Sequence, residues 1–310
     1  MFPASFAAWV GDAEWFAEAH WQRHPALFHG GAAAAPVITL DEVDSALTSG
    51  LLNAGYVDMA SPGRIVPREA FCRSHVVNHS SLADYADGAG IGRMVRDGAT
   101  LILRSVDHWH RGVAELTAGL MAGLGRRTDA AFFVTSPHTP GLDLHRDDAD
   151  AFVLQVSGSK QWRVHACPTD GDWETGTVSE TTPPVLTATV RPGDVLYVPR
   201  GAPHTAFAGD GLSAHLTVFI HEVGARHLYT ALQRMLIFGL ALPPRPVGDA
   251  ALGESAQVLL DQLTKRLGEV SAEDVVEAAR RALLAAVPQL HVSPRLAQLA
   301  REEQTAQPVE

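Results

Sequence analysis

His145 and Asp147 stand two residues apart in "LDLHRDDADAFVLQVSGSKQW", just ahead of a run that reads as a buried strand. In extended chain, residues i and i+2 face the same side, so both side chains can point into one interior while Arg146 points out. A neutral imidazole and a carboxylate suit a divalent first-row metal. One more imidazole completes a two-histidine, one-carboxylate face that leaves three coordination positions open. The best third candidate is His204 in "DVLYVPRGAPHTAFA", which a neighbouring antiparallel strand can bring beside His145. The open positions then suit a bidentate 2-oxo acid and dioxygen. Such a cosubstrate has a distal carboxylate that needs a buried cation, and Lys160 on the next strand, facing inward, supplies it. Thr217, in "SAHLTVF", adds a hydroxyl hydrogen bond to the same carboxylate. The competing reading is a polar turn leading into a strand, with Lys160 solvated after "SGS" and Thr217 no more than a β-branched strand residue. With 15 histidines and 35 acidic residues a chance H-x-D is expected, so the weight rests on the conjunction of the four positions.

Positioning these residues demands strands, and the chain supplies them from residue 130 onward. "AAFFVTS", "AFVLQVSG", "KQWRVHA", "VLTATV", "DVLYVPR" and "LSAHLTVFI" are six strand-like runs separated by Gly, Pro and Asp, as in an antiparallel jelly roll. Ahead of them, residues 5–30 read as helical with Trp9, Trp15, Phe16 and Trp21 as apolar anchors, ended by Pro25 and a loop "PALFHGG". "TLDEVDSALTSG" has capping-box spacing at Thr39 and Glu42, with Gly50 at the C-terminal stop. "GYVDMA" and "ATLILR" are β-prone, and 107–125 is helical with Val113, Leu116, Leu120, Met121 and Leu124 near a 3.6-residue period. After residue 222 three helical runs follow, the last capped by Ser271 and Asp274, and then a frayed tail "REEQTAQPVE". The expected plan is mainly β with flanking helices: a lead-in over 1–125 packing on the barrel, a jelly-roll barrel over 126–222, and a helical region over 223–310 suited to dimerisation. "LYTALQRMLIFGLAL" is apolar enough to pack on a copy of itself.

Bulk properties narrow the function classes. The chain has 310 residues, 46% hydrophobic and 19% charged, which is globular composition. No apolar run approaches the roughly 20 residues needed to cross a bilayer. The start "MFPASFAAWVGDAEWF" lacks a positive n-region, which predicts no signal peptide. Cys72 and Cys167 are too few for a disulfide framework, so a reducing cytoplasm is expected. A net charge of −11 argues against nucleic acid and suits a basic protein or peptide partner.

The array H-x-D at 145–147, the strand pair "FVLQVSGSKQWRV" and "GDVLYVPRGAPH" resembles the JmjC-type cupin oxygenases, nearest the bacterial branch with the ribosomal-protein hydroxylases. "WQRHPALFHGG" and "DGATLILRSVDHWHRGVAEL" are similar to that branch too, so the likeness runs over about 10–225. The resemblance implies Fe(II) held by His145, Asp147 and His204, with 2-oxoglutarate and O2 as cosubstrates and Lys160 on the distal carboxylate. It implies hydroxylation of a protein or peptide side chain, Arg or His favoured; demethylation ranks lower. Where the family often has Asn and Tyr against the cosubstrate, this chain has Ala131 and Phe133, so those contacts are expected to be rearranged. The C-terminal part is shorter than the helical dimerisation region plus winged helix of the ribosomal hydroxylases. A natural-product precursor peptide therefore stands beside a ribosomal protein as substrate. The rival reading is a non-catalytic or Zn- or Mn-loaded cupin binding protein.

Other polar residues read as structural. His108 and His110 are expected to be solvated at a helix start, and His215 a packed core histidine. Asp148 and Asp150 are expected to be ordinary polar neighbours of the site, and Arg126 and Arg127 to answer free carbonyls at a helix end.

Overall fold

The chain alternates helix and strand up to residue 125 and is then almost wholly β as far as residue 222. The structure, a computed structural model, describes residues 4–30, 36–61, 64–179, 182–242 and 245–288. The tail "REEQTAQPVE" lies outside them. The helices are α1 (Ala4–Val10), α2 (Ala13–Ala19), α3 (Leu40–Thr48), α4 (Gly88–Arg96), α5 (Arg111–Leu124), α6 (Ala225–Ile237), α7 (Gly248–Glu269) and α8 (Ala272–Ala285). The strands before the β-rich part are β1 (Ala26–Phe28), β2 (Val57–Ser61), β3 (Arg64–Ile65), β4 (Cys72–Val77), β5 (Ser80–Ala86) and β6 (Thr100–Leu103). Those within it are β7 (Thr128–Thr135), β8 (His145–Arg146), β9 (Asp150–Ser157), β10 (Lys160–Val164), β11 (Gly176–Thr177), β12 (Leu186–Val190), β13 (Val195–Val198), β14 (His204–Ala208) and β15 (Ser213–Ile220).

Two antiparallel sheets face one another. The major sheet runs β1-β13-β9-β15-β7-β6-β2-β3 and the minor one β11-β8-β14-β10-β12. All six strand-like runs appear, as do the β-prone runs that become β2 and β6. The runs look uniformly apolar because the major sheet is covered on both sides. Phe132, Val134, Phe152, Leu154, Tyr197 and Leu216 face the helices in the main core. Ala151, Val153, Leu196 and Val198 face Trp162, Val164, Val190 and Ala206 of the minor sheet. This is the double-stranded β-helix of the cupin class, and strands from the first 125 residues extend its major sheet at both edges.

The lead-in departs from one helix over 5–30. Gly11, at φ +74, breaks it, and Asp12 caps α2 by accepting from the backbone N–H groups of Glu14 and Trp15. α2 stops at Ala19, and Ala26–Phe28, expected to be loop, pairs with Val195–Tyr197 instead. Trp9 is buried but Trp15 is half exposed, so only part of the aromatic set is core. The Thr39–Glu42 and Ser271–Asp274 capping boxes form as the spacing predicts. So does the left-handed glycine at Gly50. The β4–β5 hairpin had no alternating signal. Its Asn78-His79 turn, with both residues at positive φ, is of the type that matches strand twist.

Candidate metal centre and its cavity

β8 and β14 are short antiparallel neighbours in the minor sheet, and their register sets His145 directly opposite His204. Asp147 follows β8 at once. β8, β11 and β14 are not among the six strand-like runs, because strands of two to five residues are too short to give a clear pattern. One nitrogen or oxygen from each of His145, Asp147 and His204 lies within 4.8 Å of the others. The closest approaches are 3.8 Å from His145 Nε2 to Asp147 and 3.6 Å from His204 Nε2 to Asp147.

Backbone carbonyls decide which imidazole nitrogen faces the site. His145 Nδ1 donates to the Asp143 carbonyl at 2.7 Å, and His204 Nδ1 donates to the Ala202 carbonyl at 3.0 Å. A carbonyl only accepts, so both rings carry the proton on Nδ1 and turn the Nε2 lone pair to Asp147. Burial, and then the nearness of His145, pushes His204 down to about 4, which keeps it neutral and ready to ligate. Two neutral imidazoles and a carboxylate from adjacent strands form a donor set that fits one divalent first-row metal.

A cavity at this cluster runs inward between the sheets to Lys160. Lys160 sits four residues along β10 from Val164, whose partner is His204, so its Cα lies about 13 Å along the strand from the histidine register. Its side chain is buried; Nζ donates to Thr135 Oγ1 at 3.0 Å, and Thr135 in turn meets Thr100 at 3.2 Å. Among the described residues no carboxylate pairs with it, and burial pushes its pKa down to about 7. Gly141 backs this end of the cavity. A Cβ there would stand 3.1 Å from Nζ, so the glycine leaves room for the ammonium. Trp162 Nε1 and His215 Nδ1, both on lining residues, are buried without a hydrogen-bond partner. A cation without a carboxylate partner and orphaned ring nitrogens in one largely apolar cavity fit an anionic ligand that brings its own acceptors.

Every sequence-predicted site residue lines this cavity, Thr217 included. Thr217 is buried on β15 opposite Ala131, while Phe133 lies flat on His215 at 4.8 Å. Sequence reasoning missed Thr100, Thr135 and Trp162. Alternation alone places Thr135 on the face of Ala131 and Phe133, and Trp162 on that of Lys160. Three structural readings are revised. His110 is not solvated but caps α5, its Nδ1 accepting from the Val113 N–H at 3.2 Å, and His108 is three-quarters buried. Arg126 and Arg127 pair with Glu222 and Asp129 rather than with helix carbonyls. Asp148 is the polar neighbour expected, exposed and paired with Arg200. Asp150 is fully buried.

Comparison with known proteins agrees with this geometry: residues 109–228 match the family model of the JmjC domain. The chain carries a JmjC domain. Ribosomal oxygenase 1 of Gallus gallus is 28% identical over 278 residues, 79% of this chain but 42% of the relative. The bifunctional lysine-specific demethylase and histidyl-hydroxylase NO66 of Culex quinquefasciatus is 32% identical over 133 residues, 41% of this chain and 20% of the relative. The chain thus spans less than half the length of these relatives. Among solved structures, YcfD, a ribosomal oxygenase from Escherichia coli in complex with cobalt and 2-oxoglutarate, superposes with a TM-score of 0.54. It is 21% identical, over 84% of this chain and 67% of that one, and so speaks for the fold around the JmjC domain. Among the described residues no helix is long and apolar enough to cross a membrane.

Proposed function

We propose that the protein is an Fe(II)- and 2-oxoglutarate-dependent dioxygenase that hydroxylates a side chain of a protein or peptide, Arg or His favoured. The observation that carries this reading is that the His145–Asp147–His204 cluster and the unpaired Lys160 share one cavity. His145, Asp147 and His204 hold the metal, and Lys160 pairs with the distal carboxylate of the cosubstrate, helped by the Thr217 hydroxyl. Bound iron supplies the activation of dioxygen, coupled to oxidative decarboxylation of 2-oxoglutarate, that oxidises an otherwise inert C–H bond. The protein contributes ligation, orientation and a dry wall: Phe133, Trp162, Val153 and Val198 line the space and keep bulk water out. No side chain is needed as acid or base.

A second groove adjoins the centre at Asp147 and carries Asp129, Asp148, Arg104 and His221. Burial alone pushes Asp129 up, but His221 and Arg127 outweigh it and hold the carboxyl below its usual range. The net charge of −11 supports a basic substrate segment. A ribosomal protein and a natural-product precursor peptide are the two candidates, and the names of the relatives favour the former. The two free cysteines support a cytoplasmic setting. Exposed Tyr229, Ile237 and Phe238 around the end of α6, and Leu252, Leu260 and Leu267 on α7, support a homodimer. We keep 1–125, 126–222 and 223–310 as the proposed lead-in, core and helical region, with limited proteolysis as the check.

The test needs no substrate. Anaerobic protein loaded with Fe(II) is expected to develop a saturable visible band on adding 2-oxoglutarate, weakened in Lys160→Ala. Bound iron without any band would replace the oxygenase reading with a Zn or Mn cupin binding protein.

A further inference from the structure

Asp150 is a fully buried carboxylate with no part in the chemistry above. It begins β9 and alternates with Phe152 and Leu154, which belong to the helix-side core, so it lies on the opposite face of the sheet from the cavity. Its partners come from two segments. Tyr197 Oη donates to it at 2.5 Å, the Arg200 backbone N–H at 3.2 Å and the Gln22 side-chain amide at 3.5 Å. Gln22 also donates its backbone N–H to Tyr197 Oη at 2.8 Å, from a left-handed backbone at φ +58 that a non-glycine residue adopts only at a cost. The Tyr197 ring is clamped between Phe16 and Phe152, with centroids 5.0 and 4.9 Å away, so its hydroxyl has one place to point.

These bonds join the two stretches that present metal ligands. Residues 147–150 start at Asp147, and residues 197–204 end at His204. Between them the Gly201 N–H also donates to the Asp147 carbonyl at 3.0 Å, and Arg200 pairs with Asp148 on the surface. Gly201 is held at φ +77 under the Trp173 ring, where a Cβ would come within 2.9 Å of the indole. Among the described residues, Asp147 has no side-chain partner beyond its two histidine neighbours. Its place relative to His204 is therefore set by the backbone on either side of the Tyr197–Asp150 contact.

We infer that Tyr197 and Asp150 are positioning residues: their buried contact, tied to the lead-in through Gln22, fixes residues 147–150 against 197–204 and so sets the distance between Asp147 and His204. The inference rests on the metal reading of these side chains. It is tested on the full chain with Co(II) alone, anaerobically and without 2-oxoglutarate, by titration calorimetry and by the visible d–d spectrum of the bound ion. Tyr197→Phe, which keeps the ring and removes the hydroxyl, is expected to weaken Co(II) binding by about tenfold or more and to alter the spectrum. Asp150→Asn is expected to do the same. The stability control is Leu120→Ala, a deletion in the core under α5; it is expected to lower the melting temperature while binding Co(II) with wild-type affinity and spectrum. If Asp150→Asn does not fold, Tyr197→Phe decides alone. Wild-type affinity and spectrum in Tyr197→Phe would overturn the inference. A wild-type protein that binds no Co(II) would overturn the metal reading, and this inference with it.

Discussion

Lys160 is the residue on which the proposed cosubstrate site turns, because it is buried with a hydroxyl partner and, among the described residues, no carboxylate. Burial has brought it to about 7 from an ordinary 10.5. The unfolded chain therefore holds more protons than the folded one between those values, so in the ligand-free protein this group's contribution to stability rises with pH across that window. A bound carboxylate favours the ammonium. Binding of 2-oxoglutarate above pH 7 should then take up a proton, and affinity should fall as pH rises further; calorimetry in buffers of different ionisation enthalpy measures the uptake. Lys160→Ala should raise the 2-oxoglutarate Kd at least tenfold with Co(II) affinity kept. Gly141→Ala should weaken 2-oxoglutarate binding in the same selective way, because its Cβ would press on Nζ from 3.1 Å. Loss of metal binding in either variant would show that the two ends of the cavity are not separable.

At the scale of elements, a charge cluster holds the C-terminal helices to the barrel. Glu222, just past β15, accepts from Arg126 ahead of β7 at 2.7 Å and from Arg280 on α8 at 2.6 Å, and Arg126 also lies over Trp21 of the lead-in at 5.8 Å. Burial pushes the Glu222 carboxyl up, but hydrogen bonds from Arg280, the Val223 N–H and Arg126 outweigh it and hold it at about 2. A carboxyl whose folded pKa is depressed stabilises fully above its unfolded value and loses that contribution as pH falls through the folded one. The window here is from about 4.5 down to about 2. At about 1.4 kcal/mol per unit the effect is on the order of 3 kcal/mol at neutral pH. Glu222→Gln should lower the melting temperature at pH 7 and flatten its fall below pH 4.5, as read by thermal melts across pH. An unchanged acid limb would place the acid sensitivity elsewhere. The sequence offered little here: adjacent arginines at a helix end read as dipole partners, and only the fold brings a residue 96 positions away to meet one of them.

The whole molecule presents an acidic surface and an apolar one. α7 has no fully buried residue over its 22 positions, and it leaves Leu252, Leu260 and Leu267 more than half exposed. A helix that long with apolar residues outward suits a second copy. Light scattering after size exclusion should give about twice the 33.1 kDa chain mass, and Leu260→Glu with Leu267→Glu should halve it. A monomer in the unmodified chain would remove the dimer from the proposal.

The residue types by themselves pointed to the candidate donor set, since imidazole, carboxylate and ammonium groups are read directly from the sequence. They also determined most of the strands, because alternation and turn residues are local signals. His145, Asp147, Lys160 and His204 were legible for that reason. The tertiary structure alone decided that His145 meets His204 across a two-residue strand, that Thr135 and Thr100 face Lys160, and that Asp150 is a buried tie rather than a polar bystander. Each of these depends on the register between strands far apart in sequence. That register is set by how the whole apolar interior packs, and no short stretch of chain contains it.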